Sequence, residues 1–306
     1  MLHTFQEVLA RAATAGKTML SIAVAQDKDV LLAVKAAAEA GLADAILVGD
    51  EKKIAQLVAE LGIAKTMTII HEPDDDEAAL TAVQLVRNGK AKVLVKGLIN
   101  SSIFLRAVLH PDKGLRSGKI LSHLMAFEIP GESKITFHTD GGMNVAPRLE
   151  EKKQIMSTAI EALRAMGIEK PNVAVLAANE QVNPKIPATV DAQALAAMAA
   201  AGTIPSCVVE GPIALDVAIS KEAAAHKGIA SKIAGEVDLF IVPTIEAGNL
   251  LGKALIHYAK AKNAGLVLGA THPIVLVSRS DDAAAKLHSI ALACLVSGGK
   301  GNESSK

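Results

Sequence analysis

Close to the C-terminus the chain reads "PIVLVSRSDDAAAKL", where an aliphatic run from Ile274 gives way to Ser278, Arg279, Ser280, Asp281 and Asp282. A guanidinium makes two parallel charge-assisted bonds to a phosphate and stays charged at any physiological pH. A serine hydroxyl beside it can donate to a developing oxyanion. Ser278 and Arg279 together suit an oxyanion or a leaving phosphate. Asp281 and Asp282 stand where a helix begins, and an acid at a cap or in a first turn contributes about 0.5–2 kcal/mol. Their first reading is a helix start and their second a general base.

The stretch "VLVKGLINSSIFLRAVL" offers a second cationic set: Lys96 and Gly97 end an apolar run, Asn100, Ser101 and Ser102 stand at a helix start, and Arg106 lies a turn further in. Backbone N–H groups, hydroxyls and flanking cations are what a phosphate needs, although a serine cap and a surface arginine need no ligand. "TDGGMNVAP" brings Gly141 and Gly142, where main chain can approach a ligand closely, and Asn144, at once donor and acceptor. A tight turn accounts for that stretch equally well. "VEGPIALDVAIS" puts Asp216 after Gly211 and Pro212, as a partner to a cation or as a helix cap.

"VPTIEAGNLLGKAL" supplies Glu246, Gly248, Asn249 and Lys253. It is not a P-loop, because Gly248 and Gly252 enclose three residues where the motif needs four before Gly-Lys, and Ala254 follows Lys253. The chain contains no G-x-G-x-x-G after an apolar run, no G-x-S-x-G elbow, no C-x-x-C pair and no H-E-x-x-H, so dinucleotide, elbow-hydrolase and zinc chemistry lack support and no metal site is expected. The nine histidines are scattered without ligand spacing.

Elements must hold these loops in place. Short runs rich in Val, Ile and Leu, such as "DAILVGD", "AKVLVKG", "NVAVLAANE" and "VDLFIVPT", alternate with helical patterns over residues 29–40, 51–61, 77–88, 149–166 and 188–201. Buried strands separated by amphipathic helices specify α/β architecture with mainly parallel sheet covered on both faces. About ten strands exceed what one sheet of ordinary size holds, so two three-layer α/β domains are expected. The Pro-Gly-Ser break at Pro130 to Lys134 places a first domain boundary near residue 132. Ligands in such folds sit outside the strands' carboxyl ends.

Zero formal charge and an aromatic set of five Phe, one Tyr and no Trp argue against nucleic-acid binding. No apolar run reaches the ~20 residues that span a bilayer, and the N-terminus lacks the apolar core of a signal peptide. Two isolated cysteines, Cys207 and Cys294, fit a reducing compartment, so the expected location is the cytoplasm.

Taken in order, "LVKGLINSSIFLRAVL", "TDGGMN", "GPIALDVAIS", "VDLFIVPTIEAGNLLGKAL" and "PIVLVSRSDD" resemble the phosphate acetyl- and butyryltransferase family over nearly the whole chain, and its shorter butyryltransferase branch most. The resemblance implies acyl transfer between coenzyme A and inorganic phosphate, both as substrates, with no bound cofactor and no metal. It also implies a fold shared with isocitrate and isopropylmalate dehydrogenases, with a last strand and helix that return to the first domain and so set the domains at 1–132 plus 273–306 and at 133–272, an active site in an interdomain cleft, and a homodimer. Carried over by position, Ser278 and Arg279 match the family's Ser-Arg pair, Arg106 a phosphate-site arginine, and Asn249 and Lys253 the Gly-Asn-x-x-x-Lys segment. Lys96, Gly97, Ser101 and Asn144 complete the substrate-binding candidates.

One departure concerns the base. Acetyltransferase members carry an aspartate seven residues after the motif serine, where this chain has Ala285, and Asp282 is the candidate substitute. Two other readings stay open on sequence: a metal- and NAD(P)-dependent dehydrogenase of the same fold, and a non-catalytic binder of acyl-CoA or phosphate.

Overall fold

A computed structural model describes residues 1–63, 67–204, 206–276 and 281–299. The chain divides into two units: a first domain of Thr4–Lys119 with the chain from Asn263 onward, and a second of Met1–His3 with Ile120–Lys262.

The first domain opens with α1 (Phe5–Thr14), β1 (Thr18–Ala23), α2 (Lys28–Glu39), β2 (Ala43–Gly49), α3 (Glu51–Glu60), β3 (Thr68–His71), α4 (Asp75–Arg87), β4 (Val93–Lys96) and α5 (Ser101–Val108). The second contains β5 (Ser122–Glu128), β6 (Thr136–Thr139), α6 (Leu149–Ala165), β7 (Asn172–Leu176), α7 (Pro187–Ala200), β8 (Val208–Ile213), α8 (Leu215–Ile219), α9 (Lys221–His226), β9 (Leu239–Ile241) and α10 (Ile245–His257). The chain then returns to the first domain through β10 (Lys262–Leu268), β11 (Ile274–Val275) and α11 (Ala283–Gly299).

Strands of the first domain lie in the order β3-β2-β1-β4-β11-β10, parallel except for β10 against β11. Every side chain of β4 is buried, as expected of a central parallel strand covered on both faces. The order reverses at β1 and β4, because the chain leaves β1 toward β2 and returns on the other side as β4. Such a switch point opens a crevice at the strands' C-terminal ends. Helices α2, α3, α4 and α5 start from side-chain caps at Asp27, Asp50, Asp74 and Asn100, each accepting from backbone N–H groups of the first turn.

The second domain runs β5-β6-β9-β7-β8, parallel except for β5 against β6. Its strand β5 escapes the sequence reading, because "SHLMAFE" mixes His and Glu into the apolar pattern, as an antiparallel strand with one partly open face does. The Pro130 to Lys134 stretch joins β5 to β6 as the connection of that antiparallel pair, with Met125 opposite His138. The N-terminus is tied to the same place, since Ile135 N donates to Leu2 O (2.9 Å). The chain divides at Lys119 and Lys262, about ten residues before the expected boundaries at 132 and 272.

At the start of the parallel strands a buried ion pair braces three elements. Lys134 Nζ donates to Asp238 Oδ1 (2.6 Å) and to Glu236 O (2.9 Å), while Asn172 N donates to Asp238 Oδ2 (2.9 Å). Both members are nearly fully enclosed, so losing one would strand the other's charge.

Candidate active site

The candidate residues fall into two sets, one on each domain. In the first domain the switch point is stitched main chain to main chain. Gly97 N donates to Ala23 O (2.9 Å) and Leu98 N to Val24 O (2.8 Å). A Cβ on Gly97 would fall 2.2 Å from Val24 O and 2.7 Å from Ala23 O, so only glycine fits. Val24 holds φ at 56°, a left-handed conformation that a β-branched residue rarely adopts. Lys96 closes β4 beside this seam with a buried side chain, and its Nζ reaches Gly97 O at 3.4 Å.

The following helix is capped by Asn100, whose Oδ1 accepts from Ser102 N (2.9 Å) and Ser102 Oγ (3.0 Å). Ser101 is the first helical residue and is exposed. Arg106 projects from the second turn of α5, with its guanidinium 3.1 Å from Asp76 Oδ1 in the first turn of α4. Both side chains of that pair are more than half exposed, so the contact orients the arginine at little energetic cost.

Ser278 and Arg279 lie outside the described residues. Behind them, Asp282 caps α11: its Oδ1 accepts from Ala285 N (2.8 Å), and Lys286 N donates to its carbonyl (3.2 Å). The buried Lys286 also donates through Nζ to the Asp281 carbonyl. Ala285, three residues on, is buried beneath this first turn.

In the second domain the glycine loop after β6 is filled by its own carboxylate. Asp140, almost fully enclosed, accepts through Oδ1 from Gly142 N and Met143 N (both 2.9 Å). Its Oδ2 accepts from Asn144 N (3.3 Å) and Asn144 Nδ2 (2.6 Å). Asn144 Nδ2 further donates to Leu121 O (2.8 Å), so the amide N–H groups that the sequence offers to a ligand are engaged within the fold. Gly141 lies against Gly248 of α10, where a Cβ would come 2.7 Å from the Gly248 carbonyl carbon. Asn249 Nδ2 donates to Gly141 O (3.3 Å), and Lys253 stands exposed one turn further on.

Asp140 and Asp76 are the site residues that the sequence reading leaves unmarked. An Asp directly before two glycines is the signal of a side chain that bonds its own backbone two residues on; Asp76 lies in an acidic run that reads as an ordinary helix start.

The arrangement defines an α/β protein whose polar and cationic residues gather on loops at the C-terminal ends of parallel strands. Among the described residues no cluster of three or more His, Cys, Asp or Glu could hold a metal ion. The family described as "Phosphate acetyl/butaryl transferase" matches residues 64–294, and the chain belongs to it. It is 44% identical to the phosphate butyryltransferase of Clostridium acetobutylicum over 301 residues, covering 98% of this chain and 100% of that one. The phosphate acetyltransferase of Thermotoga maritima is 38% identical over 291 residues, 95% of this chain and 99% of that one. Among solved structures, a branched-chain phosphotransacylase from Enterococcus faecalis superimposes with a TM-score of 0.80 at 32% identity, over 92% of this chain and 99% of that one. These relatives favour acyl transfer over the dehydrogenase and the non-catalytic binder left open by sequence alone.

Proposed function

We propose that the chain catalyses acyl-CoA + phosphate = acyl phosphate + CoA, with butyryl-CoA favoured over acetyl-CoA, as a cytoplasmic homodimer. The observation that carries the reading is the full-length likeness to a phosphate butyryltransferase, which is higher than that to an acetyltransferase. The two unpaired cysteines agree with a reducing compartment.

In this reading inorganic phosphate is held by Arg279 and Arg106, with Lys96 adding positive field at the end of β4. A phosphate oxygen attacks the thioester carbonyl, and Ser278 donates to the oxyanion as it forms. The tetrahedral intermediate collapses by breaking the C–S bond, and the coenzyme A thiolate leaves and takes up a proton. In reverse the thiol must lose that proton, because the thiolate is the nucleophile. Asp282 is the assigned acceptor: its Oδ1 serves the helix cap, which leaves Oδ2 for the thiol. Gly97, Ser101, Asn144, Asn249 and Lys253 line the substrates, Gly97 and Asn144 by shaping main chain. No acyl-enzyme forms.

A thiol-release assay with acetyl-, propionyl- and butyryl-CoA plus phosphate tests this reading. Wild-type turnover should be highest with butyryl-CoA, and Arg279→Ala should lower kcat/KM by about 100-fold or more. Unchanged turnover in the variant would remove the centre of the proposal, and acylated protein recovered after incubation with butyryl phosphate alone would refute the direct transfer.

A further inference from the structure

Among the described residues four lysines are buried: Lys96, Lys134, Lys152 and Lys286. Enclosing an ammonium is costly unless an anion compensates it. Two of the four show how the fold meets that cost: Lys134 Nζ lies 2.6 Å from Asp238 Oδ1, and Lys152 Nζ lies 2.6 Å from Asp191 Oδ2. Lys286 is treated differently. It is only 5% exposed, yet it forms no ion pair among the described residues, and its Nζ donates to the Asp281 carbonyl alone.

Its place in the helix adds to the cost. Lys286 stands in the first turn of α11, and the bond to Asp281, two residues before the helix, draws the side chain back along that turn, so the ammonium lies at the helix N-terminus. That end carries the positive partial charge and disfavours a cation. Asp282, four residues before the lysine, spends its Oδ1 on Ala285 N (2.8 Å). The ammonium is left to a ligand for its counter-charge. The chain on either side says which ligand. Between β11 and α11 stand Ser278 and Arg279, the pair assigned above to the oxyanion and to phosphate. One end of that segment leaves the sheet where Val275 pairs with Val95, next to Lys96 on β4. Lys286 holds the other end twice, through N to Asp282 O (3.2 Å) and through Nζ to Asp281 O. Ser278 is three residues from Asp281, at most about 11 Å of chain. An anion bound there lies in the field of the ammonium.

We propose that Lys286 is a positioning residue for phosphate: it fixes the Asp281 end of the segment that carries Ser278 and Arg279, and its charge is compensated when that segment holds inorganic phosphate or the phosphoryl group of an acyl phosphate. The inference rests on the phosphate-binding reading of that segment. It makes the lysine unfavourable in the empty protein and favourable in the loaded one, whereas a lysine that serves only the fold is favourable in both.

Urea melts of the full chain with and without inorganic phosphate, joined to the thiol-release assay, test it on two variants. Lys286→Met keeps a long side chain and removes the charge; Lys286→Arg keeps the charge. Without phosphate, Lys286→Met should melt at the wild-type urea midpoint or above it, because replacing an uncompensated buried ion by an apolar side chain of similar size is neutral or stabilising. Phosphate should raise the midpoint of the wild type, and that of Lys286→Met much less. The KM for phosphate should rise about tenfold or more in Lys286→Met and less than about threefold in Lys286→Arg, with the KM for acyl-CoA within about twofold of wild type in both. A Lys286→Met protein that does not fold, or that melts well below the wild type without phosphate, would make the lysine a structural prop and overturn the inference. An unchanged phosphate KM in Lys286→Met, or an equal rise in Lys286→Arg, would overturn it too. A wild type whose melt ignores phosphate and which releases no thiol with it would overturn the phosphate-binding reading as well.

Discussion

After β4 the chain places Lys96, Gly97, Ser101 and Arg106; after β6 it places Asp140, Gly141, Gly142 and Asn144. Both are glycine-bearing exits from a parallel strand. In the first, glycine seals a main-chain seam against Ala23 and Val24, and the polar groups beyond it stay exposed, with Arg106 restrained by one surface ion pair. In the second, the loop's N–H groups converge on Asp140, and the ring of bonds closes on itself. A cluster of backbone donors around glycines is an anion site only when no carboxylate of the chain already occupies it. In the proposed reading the β4 exit is the edge that takes phosphate, whereas the β6 exit, closed on its own carboxylate, offers the Gly141 carbonyl to Asn249.

Removing the resident carboxylate is the strongest way to test that contrast. Asp140→Ala leaves the N–H groups of Gly142, Met143 and Asn144 without their acceptor in a part-buried setting, and each such loss costs roughly 1–3 kcal/mol when water cannot replace it. With partial rehydration the expected destabilisation is about 3 kcal/mol, read as a lower urea midpoint with an unchanged m-value. A shift under half that size would mean the loop does not depend on its carboxylate. Gly97→Ala probes the other exit. Its Cβ would meet the Val24 carbonyl at 2.2 Å, a rigid neighbour, and the forced backbone shift should cost about 2 kcal/mol. Because the strain falls beside Lys96, kcat/KM for phosphate should fall more than stability predicts.

Much of the fold is legible in the sequence for a simple reason: parallel strands buried on both faces read as unbroken Val, Ile and Leu runs, and helices α2 to α5 between them carry acidic or amide caps. The helix read at 51–61 is observed as Glu51–Glu60, and that at 149–166 as Leu149–Ala165. Strand β5 is hidden because an antiparallel strand with an open face admits His123 and Glu128. Site residues are legible by type but not by state. Nothing in "TDGGMN" says that Asn144 donates to Asp140 and Leu121 rather than to a ligand. Nothing in "GNLLGKAL" says that Gly248 and Gly252 pack inward while Leu250 is exposed, because periodicity reports a face and not what lies against it.

The two exits should also differ in their response to acid. His138 precedes Thr139 and Asp140 on β6, enclosed between Phe127 and Phe240, and burial pushes its imidazole down to about 3. The unfolded chain binds this proton below its ordinary value near 6.5 while the folded chain does not, so stability is lost as pH falls from about 6.5 toward 3. At pH 5.5 this one group removes about 1.4 kcal/mol relative to neutral pH. Urea melts at pH 7.5 and 5.5 should show His138→Phe losing that much less than the wild type over the same interval. Equal losses in both proteins would mean that the imidazole is protonated in the fold.

The smallest stability effect belongs to the β4 exit, where Arg106 meets Asp76. Exposed pairs of this kind contribute at most about 1 kcal/mol and commonly nothing, so Asp76→Asn should shift the urea-derived stability by less than about 0.5 kcal/mol. Its effect on binding follows from competition: a phosphate that takes the Arg106 guanidinium must displace the Asp76 carboxylate and then sit near that negative charge. Removing the charge should lower the KM for phosphate by about twofold and leave the KM for acyl-CoA unchanged. If Asp76 instead holds the guanidinium in its productive orientation, the phosphate KM rises in Asp76→Asn. The sign of that one change therefore separates a carboxylate that competes with the substrate from one that prepares the arginine for it, at an exit where, unlike that after β6, the chain has left its cation within reach of solvent.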